Sequence, residues 1–236
     1  MQYDLVIIGA TTAALGLAKT VQSSLKTLIV NKTEMVAYDF VNSYKKPGVY
    51  AQGAAYNKEF RELGADILLG TEVVSVTKRE NGGYTLELLG VGGFQTVETK
   101  QLVDTTLERE EGISGKSFNA LIIQQKGEPV PEVEWPGVTL VAEAHQELYT
   151  TAILKLDCAL DWSVAEARHQ LVDRWLKRPE ALKEWKMAAI AFCFEERSAA
   201  GVRKKDEGYH VLPAAGYTEP EASADAGVQL GRSLVS

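Results

Sequence analysis

Between Tyr3 and Val30 the chain reads as an apolar run, a glycine turn, a helix and a second apolar run. This unit restricts the fold more than any other feature. Tyr3 to Ile8 is short and rich in branched residues, as strands buried on both faces are. Gly9 to Thr12 supplies the turn. Ala13 to Ser23 repeats Leu15, Ala18 and Val21 at helical spacing. Leu25 to Val30 is the second buried strand, ended by Asn31 and Lys32. Such a βαβ unit implies parallel pairing and a right-handed crossover.

The rest of the chain adds antiparallel structure. Gln52 to Leu63 fits a helix closed by Gly64, and Asp66 to Leu69 a short strand. Thr71 to Thr77, Tyr84 to Leu89 and Phe94 to Thr99 follow, separated by Asn81-Gly82-Gly83 and Gly90-Val91-Gly92-Gly93. Glycine-rich linkers of this kind are hairpin signals, so a three-stranded meander is expected. Gln101 to Thr105 reads as a further short strand. Glu108 to Gly115 is charged and glycine-bearing, a plausible boundary. Phe118 to Gln124, Val138 to Ala144 and Tyr149 to Leu156 have strand character. A helix is expected from Asp161 to about Lys177, with Asp161 or Ser163 as N-cap. A second runs from Pro179 to about Glu195, then a polar return loop from Arg197 to Gly208, and a last helix from Glu219 to Val235.

The 236 residues carry a net charge of −7, with no run of Lys and Arg longer than three. A nucleic-acid surface needs clustered positive charge, so none is expected. No apolar run approaches the ~20 residues of a membrane span. Cys158 and Cys193 lie 35 residues apart, without metal-ligand spacing or a disulfide framework. Two reduced, buried thiols in a cytoplasmic protein are the plain reading.

The order of elements resembles the FAD-dependent oxidoreductases of the two-domain type related to glutathione reductase. Four stretches carry the resemblance: Tyr3 to Gly9, Leu63 to Val76, Lys100 to Thr106, and Ala214-Ala215-Gly216 followed by a helix. It implies an α/β fold: an FAD/NAD(P)-binding, Rossmann-like parallel sheet with an antiparallel meander, plus a smaller inserted α+β cap. Residues 1–112 and 209–236 would form the dinucleotide-binding domain, and 113–208 the cap. Carried over position by position, the cofactor-binding residues would be Gly9, Thr11, Thr12, Ala14, Asn31, Lys32, Val73, Thr105, Thr106 and Gly216.

The motif is degenerate. In G-x-G-x-x-G the first glycine makes the turn, the second admits the pyrophosphate and the third lets helix and strand pack closely. Here these positions hold Gly9, Thr11 and Ala14. The end of the second strand, where the fingerprint places an acid for the ribose, holds Asn31 and Lys32. Thr105-Thr106-Leu107 stands where the family pattern ends in Thr-Gly. Three readings stay open: adapted FAD binding, a turn that binds nothing, and another nucleotide or small ligand.

The resemblance implies an FAD-dependent oxidoreductase-like protein with an unidentified small-molecule substrate and no metal. The alternative is a cofactor-free relative acting as a binding or assembly partner, through a homo-oligomer or a partner protein. In that case the protein's own side chains should fill the pocket, with Tyr38, Phe40 and Tyr44 as fillers. Among other candidates, His169 reads as solvated and His145 as the end of a strand. Tyr209 and His210 could flank a flavin. Asp104 reads as a cap in the strand-end turn. Trp162, Trp175 and Trp185 fall on the two expected helices, as core or as an interface.

Overall fold

The computed structural model describes residues 1–107, 112–125, 128–145 and 149–236, without the side chains of residues 144 and 145. The charged stretch Glu108 to Glu111 lies outside the described residues. In chain order the elements begin β1 (Gln2–Ile8), α1 (Thr12–Val21), β2 (Thr27–Val30), α2 (Gly53–Arg61), β3 (Asp66–Leu68), β4 (Glu72–Lys78) and β5 (Tyr84–Gly90). They continue β6 (Gly93–Asp104), β7 (Gly115–Gln124), β8 (Val138–His145), β9 (Thr150–Cys158), α3 (Val164–Leu176) and β10 (Lys186–Ile190). The chain ends with β11 (Glu195–Arg197), β12 (Arg203–Asp206), β13 (Tyr209–Val211) and α4 (Pro220–Val235). They form two compact units, one of Met1–Tyr38, Ala54–Gly112 and Ser198–Ser236, the other of Asp39–Gly53 and Ile113–Arg197.

The first unit is built on a sheet of order β12-β13-β6-β1-β2-β3, parallel from β13 to β3. Alternation along β1 explains its layers. Leu5 and Ile7 pack with Leu15, Leu17, Phe60, Val103 and Leu230 on the helical side. Val6 and Ile8 pack with Leu28, Leu86, Leu88 and Val97 on the meander side. The expected break between Thr99 and Gln101 does not exist. β6 runs unbroken for 12 residues, pairing with β5 early and with β1 and β13 late. Lys100 keeps the alternation, exposed and paired with Asp4 at 2.8 Å, so nothing in the sequence stops the strand there.

The second unit is an antiparallel sheet of order β10-β7-β9-β8, with β11 also on β7. α3 covers one face, where Phe118, Ala120, Ile122, Leu154, Leu156, Leu171 and Trp175 form the core. Ser163 is the N-cap of α3 and makes a capping box with Glu166. The helix expected from Pro179 to Glu195 is not formed. A single 3₁₀ turn at Glu180–Leu182 gives way to β10 and β11. Trp185 is buried in the same core and Phe194 stacks edge-on against Phe118 at 5.6 Å. The spacing that suggested a helix is satisfied instead by sheet pairing, which places these aromatics over β7. The expected return loop at Arg197–Gly208 likewise contains β12, paired antiparallel with β13. Among the described residues, no helix is long and apolar enough to cross a membrane.

Candidate nucleotide site at the strand ends

The turn after β1 is tightly specified. Gly9 has φ +93°, in the region glycine adopts readily. A Cβ there would fall 2.6 Å from Thr106 Cγ2 and 2.7 Å from Thr105 Oγ1. Thr11 is the N-cap of α1: its extended backbone lets Oγ1 accept from Ala14 N at 3.2 Å. The same hydroxyl donates to Thr105 Oγ1 at 2.8 Å, and Thr105 donates on to Ile8 O at 2.8 Å. Thr106 donates through N and Oγ1 to Asp104 Oδ1, at 2.8 and 2.7 Å. Asp104 is therefore a turn cap, as the sequence suggests.

The helix N-termini converge at these strand ends. Thr12 Oγ1 donates to Ser223 Oγ at 2.8 Å, with both residues fully buried. A Cβ on Gly16 would sit 2.0 Å from Ala224 O, and one on Gly227 2.0 Å from Ala13 O. Further along, Gly231 meets Thr20. The contacts advance in the same direction along both helices, so α1 and α4 run parallel. Their positive dipole ends lie together at the C-terminal ends of β1, β6 and β13. The residue that permits close approach is Gly16 together with Gly227, not the motif's third position at Ala14, which is simply buried. Gly227-x-x-x-Gly231 is the sequence signal that could have revealed this contact.

Immediately after β2 comes Asn31, which is buried and fully engaged. Its Oδ1 accepts from Ala10 N at 3.0 Å. Its Nδ2 donates to Met35 O at 2.8 Å, Thr33 Oγ1 at 2.9 Å and Thr33 O at 3.0 Å. Ala37 N in turn donates to Ala10 O at 2.7 Å, with Ala37 held at φ +50°. Ala10 is thus gripped on both sides by the 31–37 segment. Lys32 points out and pairs with Glu72 at 3.2 Å. Val73 packs in the apolar meander cluster. Gly216 lies against the backbone of Ala199 and Ala200, and Ala214 N donates to Thr105 O at 3.1 Å.

The structure therefore brings together Gly9, Thr11, Asn31, Thr105 and Thr106, with Thr12 and Ala14 opening the helix. Lys32 and Val73 do not join that hydrogen-bonded group. Within the first unit the turn is contacted by Asn31, Ala37, Thr105 and Thr106. Phe40 and Tyr44 belong to the second unit, where Lys45 lies over the Phe40 ring and Tyr44 meets Tyr50 edge-on at 6.0 Å. Tyr209 and His210 point to opposite faces of β13: Tyr209 stacks on Tyr84 at 5.5 Å within the meander cluster. Burial, then nearby Lys204, holds the His210 imidazole below its ordinary pKa. His169 is exposed, and the His145 side chain lies outside the described residues.

Sequence reasoning missed one polar cluster in the second unit. Lys155 Nζ donates to Glu195 Oε2 at 2.7 Å and to Lys45 O at 2.6 Å. Asn119 Nδ2 and Ser117 Oγ donate to the same carboxylate oxygen, at 2.7 and 3.2 Å. Asn119 also donates to Ser43 O at 2.8 Å, which fastens the Asp39–Gly53 segment to the sheet. The signal available was polar Ser117 and Asn119 alternating with apolar residues in β7.

No family model matches the chain, and no curated protein matches its sequence. Solved structures share its fold. Aklavinone-11 hydroxylase, in a ternary complex with FAD and aklavinone, superposes with TM-score 0.60 at 13% identity, over 99% of this chain and 62% of its own. The p-nitrophenol 4-monooxygenase of Pseudomonas putida DLL-E4 gives 0.59 at 12% identity, over 100% of this chain and 81% of its own. A geranylgeranyl bacteriochlorophyll reductase-like protein from Thermoplasma acidophilum gives 0.62 at 12% identity, over 98% of this chain and 77% of its own. The chain thus spans about three fifths of the length of the aklavinone hydroxylase. Its architecture is a mixed α/β, FAD-binding Rossmann-like fold with an added antiparallel sheet.

FAD is the group this fold implies, and the residues as placed do not fit its adenosine and pyrophosphate half. Ala10, Thr11 and Thr12 are 0–1% exposed. The residue at the ribose position is uncharged, buried and committed to four contacts within the protein.

Proposed function

We propose that the chain is an FAD-dependent oxidoreductase-like protein of the two-domain, glutathione-reductase-related type, cytoplasmic and acting on a small molecule. The observation that carries this reading is the convergence of the α1 and α4 N-termini at the ends of three parallel strands. Open α/β sheets bind ligands at that end, and paired dipoles favour a diphosphate there. FAD would supply the redox chemistry when bound. The chain's own contribution is to hold and orient, and the 31–37 segment has to move off Ala10 before the adenosine half can enter.

A second reading has its own support in the closed turn: a cofactor-free relative that uses the fold for binding or assembly, as a homo-oligomer or with a partner protein. One experiment separates the two. The purified protein is mixed with excess FAD, the unbound part is removed, and the visible spectrum is recorded. Retained flavin bands support the oxidoreductase reading. A colourless protein overturns it and leaves the second.

A further inference from the structure

We infer that Asn31 is a latch which closes the nucleotide turn with the protein's own groups. Each polar atom of its side chain has a defined task. Oδ1 takes the Ala10 amide at 3.0 Å, and Nδ2 ties down Thr33 and Met35 at 2.8–3.0 Å. The loop so fixed presents the Ala37 amide to Ala10 O at 2.7 Å. Ala37 pays for this with a left-handed backbone, φ +50°, which disfavours any residue carrying a Cβ. Such a conformation persists only where surrounding contacts impose it. The strand-end position that would carry a ribose-binding acid thus carries an amide, whose NH2 donates to the loop. An acid could not do this, because an ionised carboxylate only accepts hydrogen bonds.

The latch rests on the geometry of the first unit alone. Its bearing on FAD rests on the oxidoreductase reading. Asn31→Asp tests both. The variant has the same shape and keeps the acceptor for Ala10 N, but it replaces the donor group with an oxygen facing Thr33 O and Met35 O. Amide hydrogen exchange at Ala37 reads the latch directly. In Asn31→Asp it is expected to speed up about a hundredfold while Val6 and Leu102 in the sheet stay protected. Ala37→Gly is the second variant: it relieves the backbone strain and is expected to slow exchange at residue 37 about tenfold. Unchanged exchange at residue 37 in both variants overturns the latch. So does wild-type protein that holds FAD firmly while Ala37 stays protected. FAD retained by wild type and held more tightly by Asn31→Asp supports the latch and the oxidoreductase reading together, whereas FAD retained by Asn31→Asp alone supports the latch and leaves the wild type as the cofactor-free relative. Faster exchange with no FAD retained by either protein supports the latch and removes the oxidoreductase reading.

Discussion

Thr11 and Thr105 meet hydroxyl to hydroxyl at 2.8 Å across 94 residues of sequence. The contact joins the start of α1 to the end of β6, and it occupies the hydroxyl that a helix N-terminus would otherwise offer to a ligand. Thr11→Ala removes both the cap and this bond. A lost cap costs about 1 kcal/mol and a lost buried hydrogen bond a similar amount, so a loss of roughly 2 kcal/mol is expected. Thr11→Ser keeps the hydroxyl and should stay within about 0.5 kcal/mol of wild type. Urea midpoints at fixed m-value decide the matter.

Gly227→Ala sets two effects of opposite sign against each other. Alanine is the better helix former by about 1 kcal/mol. The new Cβ would lie 2.0 Å from Ala13 O and 2.7 Å from Leu17 N, backbone atoms that cannot step aside. Overpacking typically costs about 1–3 kcal/mol, and more where rigid backbone is struck, so the clash should win. A lower Tm is expected; a higher one would contradict the close packing of α1 on α4.

Removing one member of the Lys155–Glu195 pair strands the other in a buried place. Lys155→Met is expected to destabilise the second unit by about 3–5 kcal/mol. Glu195→Gln should cost less, because its amide oxygen still accepts from Asn119. The double variant should lose less than the sum of the singles, and a double-mutant cycle in denaturant measures the difference. Strict additivity would mean the pair is not coupled.

The folded state holds His210 below its ordinary pKa, through burial and then Lys204. The unfolded chain therefore binds the extra proton first as pH falls. Its contribution to stability is complete above the unfolded value of 6.5 and is lost as pH drops from there through the folded pKa. His210→Gln should lose less stability than wild type between pH 7.5 and about 5.5. Parallel pH profiles for the two proteins would rule out a titrating role for this residue.

Burial pushes the Cys193 thiol up to about 12, with Asp39 and Glu196 adding to the effect, and it also raises Cys158. Only the thiolate attacks a disulfide reagent. Labelling by an aromatic disulfide at mild pH should therefore be slow in the folded protein and complete for both cysteines in guanidinium. Both cysteines are half-buried rather than buried as the sequence suggests, so rapid labelling of Cys193 under native conditions would contradict its raised pKa.

The βαβ unit, the meander and the last helix were legible because each rests on local signals: branched runs, glycine hairpins, and Pro220 in a first turn. The region after Pro179 was not. Trp185, Phe192 and Phe194 have no spacing that distinguishes a helix from strands paired to a distant β7. At the site, the sequence identified Gly9, Thr11, Asn31 and Thr105 as a group but not what they do to one another. Whether Asn31 faces a ligand or its own loop depends on the path of residues 33–37, and that path is held by backbone contacts that leave no trace in residue type. The close approach of α1 and α4 at Gly16 and Gly227 was written in the chain, but only pairing the first helix with the last one reveals it.

That last contact has a kinetic side. Thr12 and Ser223 are 211 residues apart, yet they share a hydrogen bond at the heart of the first unit. During synthesis the face of α1 that fits α4 waits uncovered until the residues of α4, some 211 positions later, have left the ribosome. Contacts of such long sequence separation slow folding and prolong the exposure of apolar surface. The Ala- and Gly-bearing face of α1 is thus apolar surface that a chaperone could shield while the protein is being made.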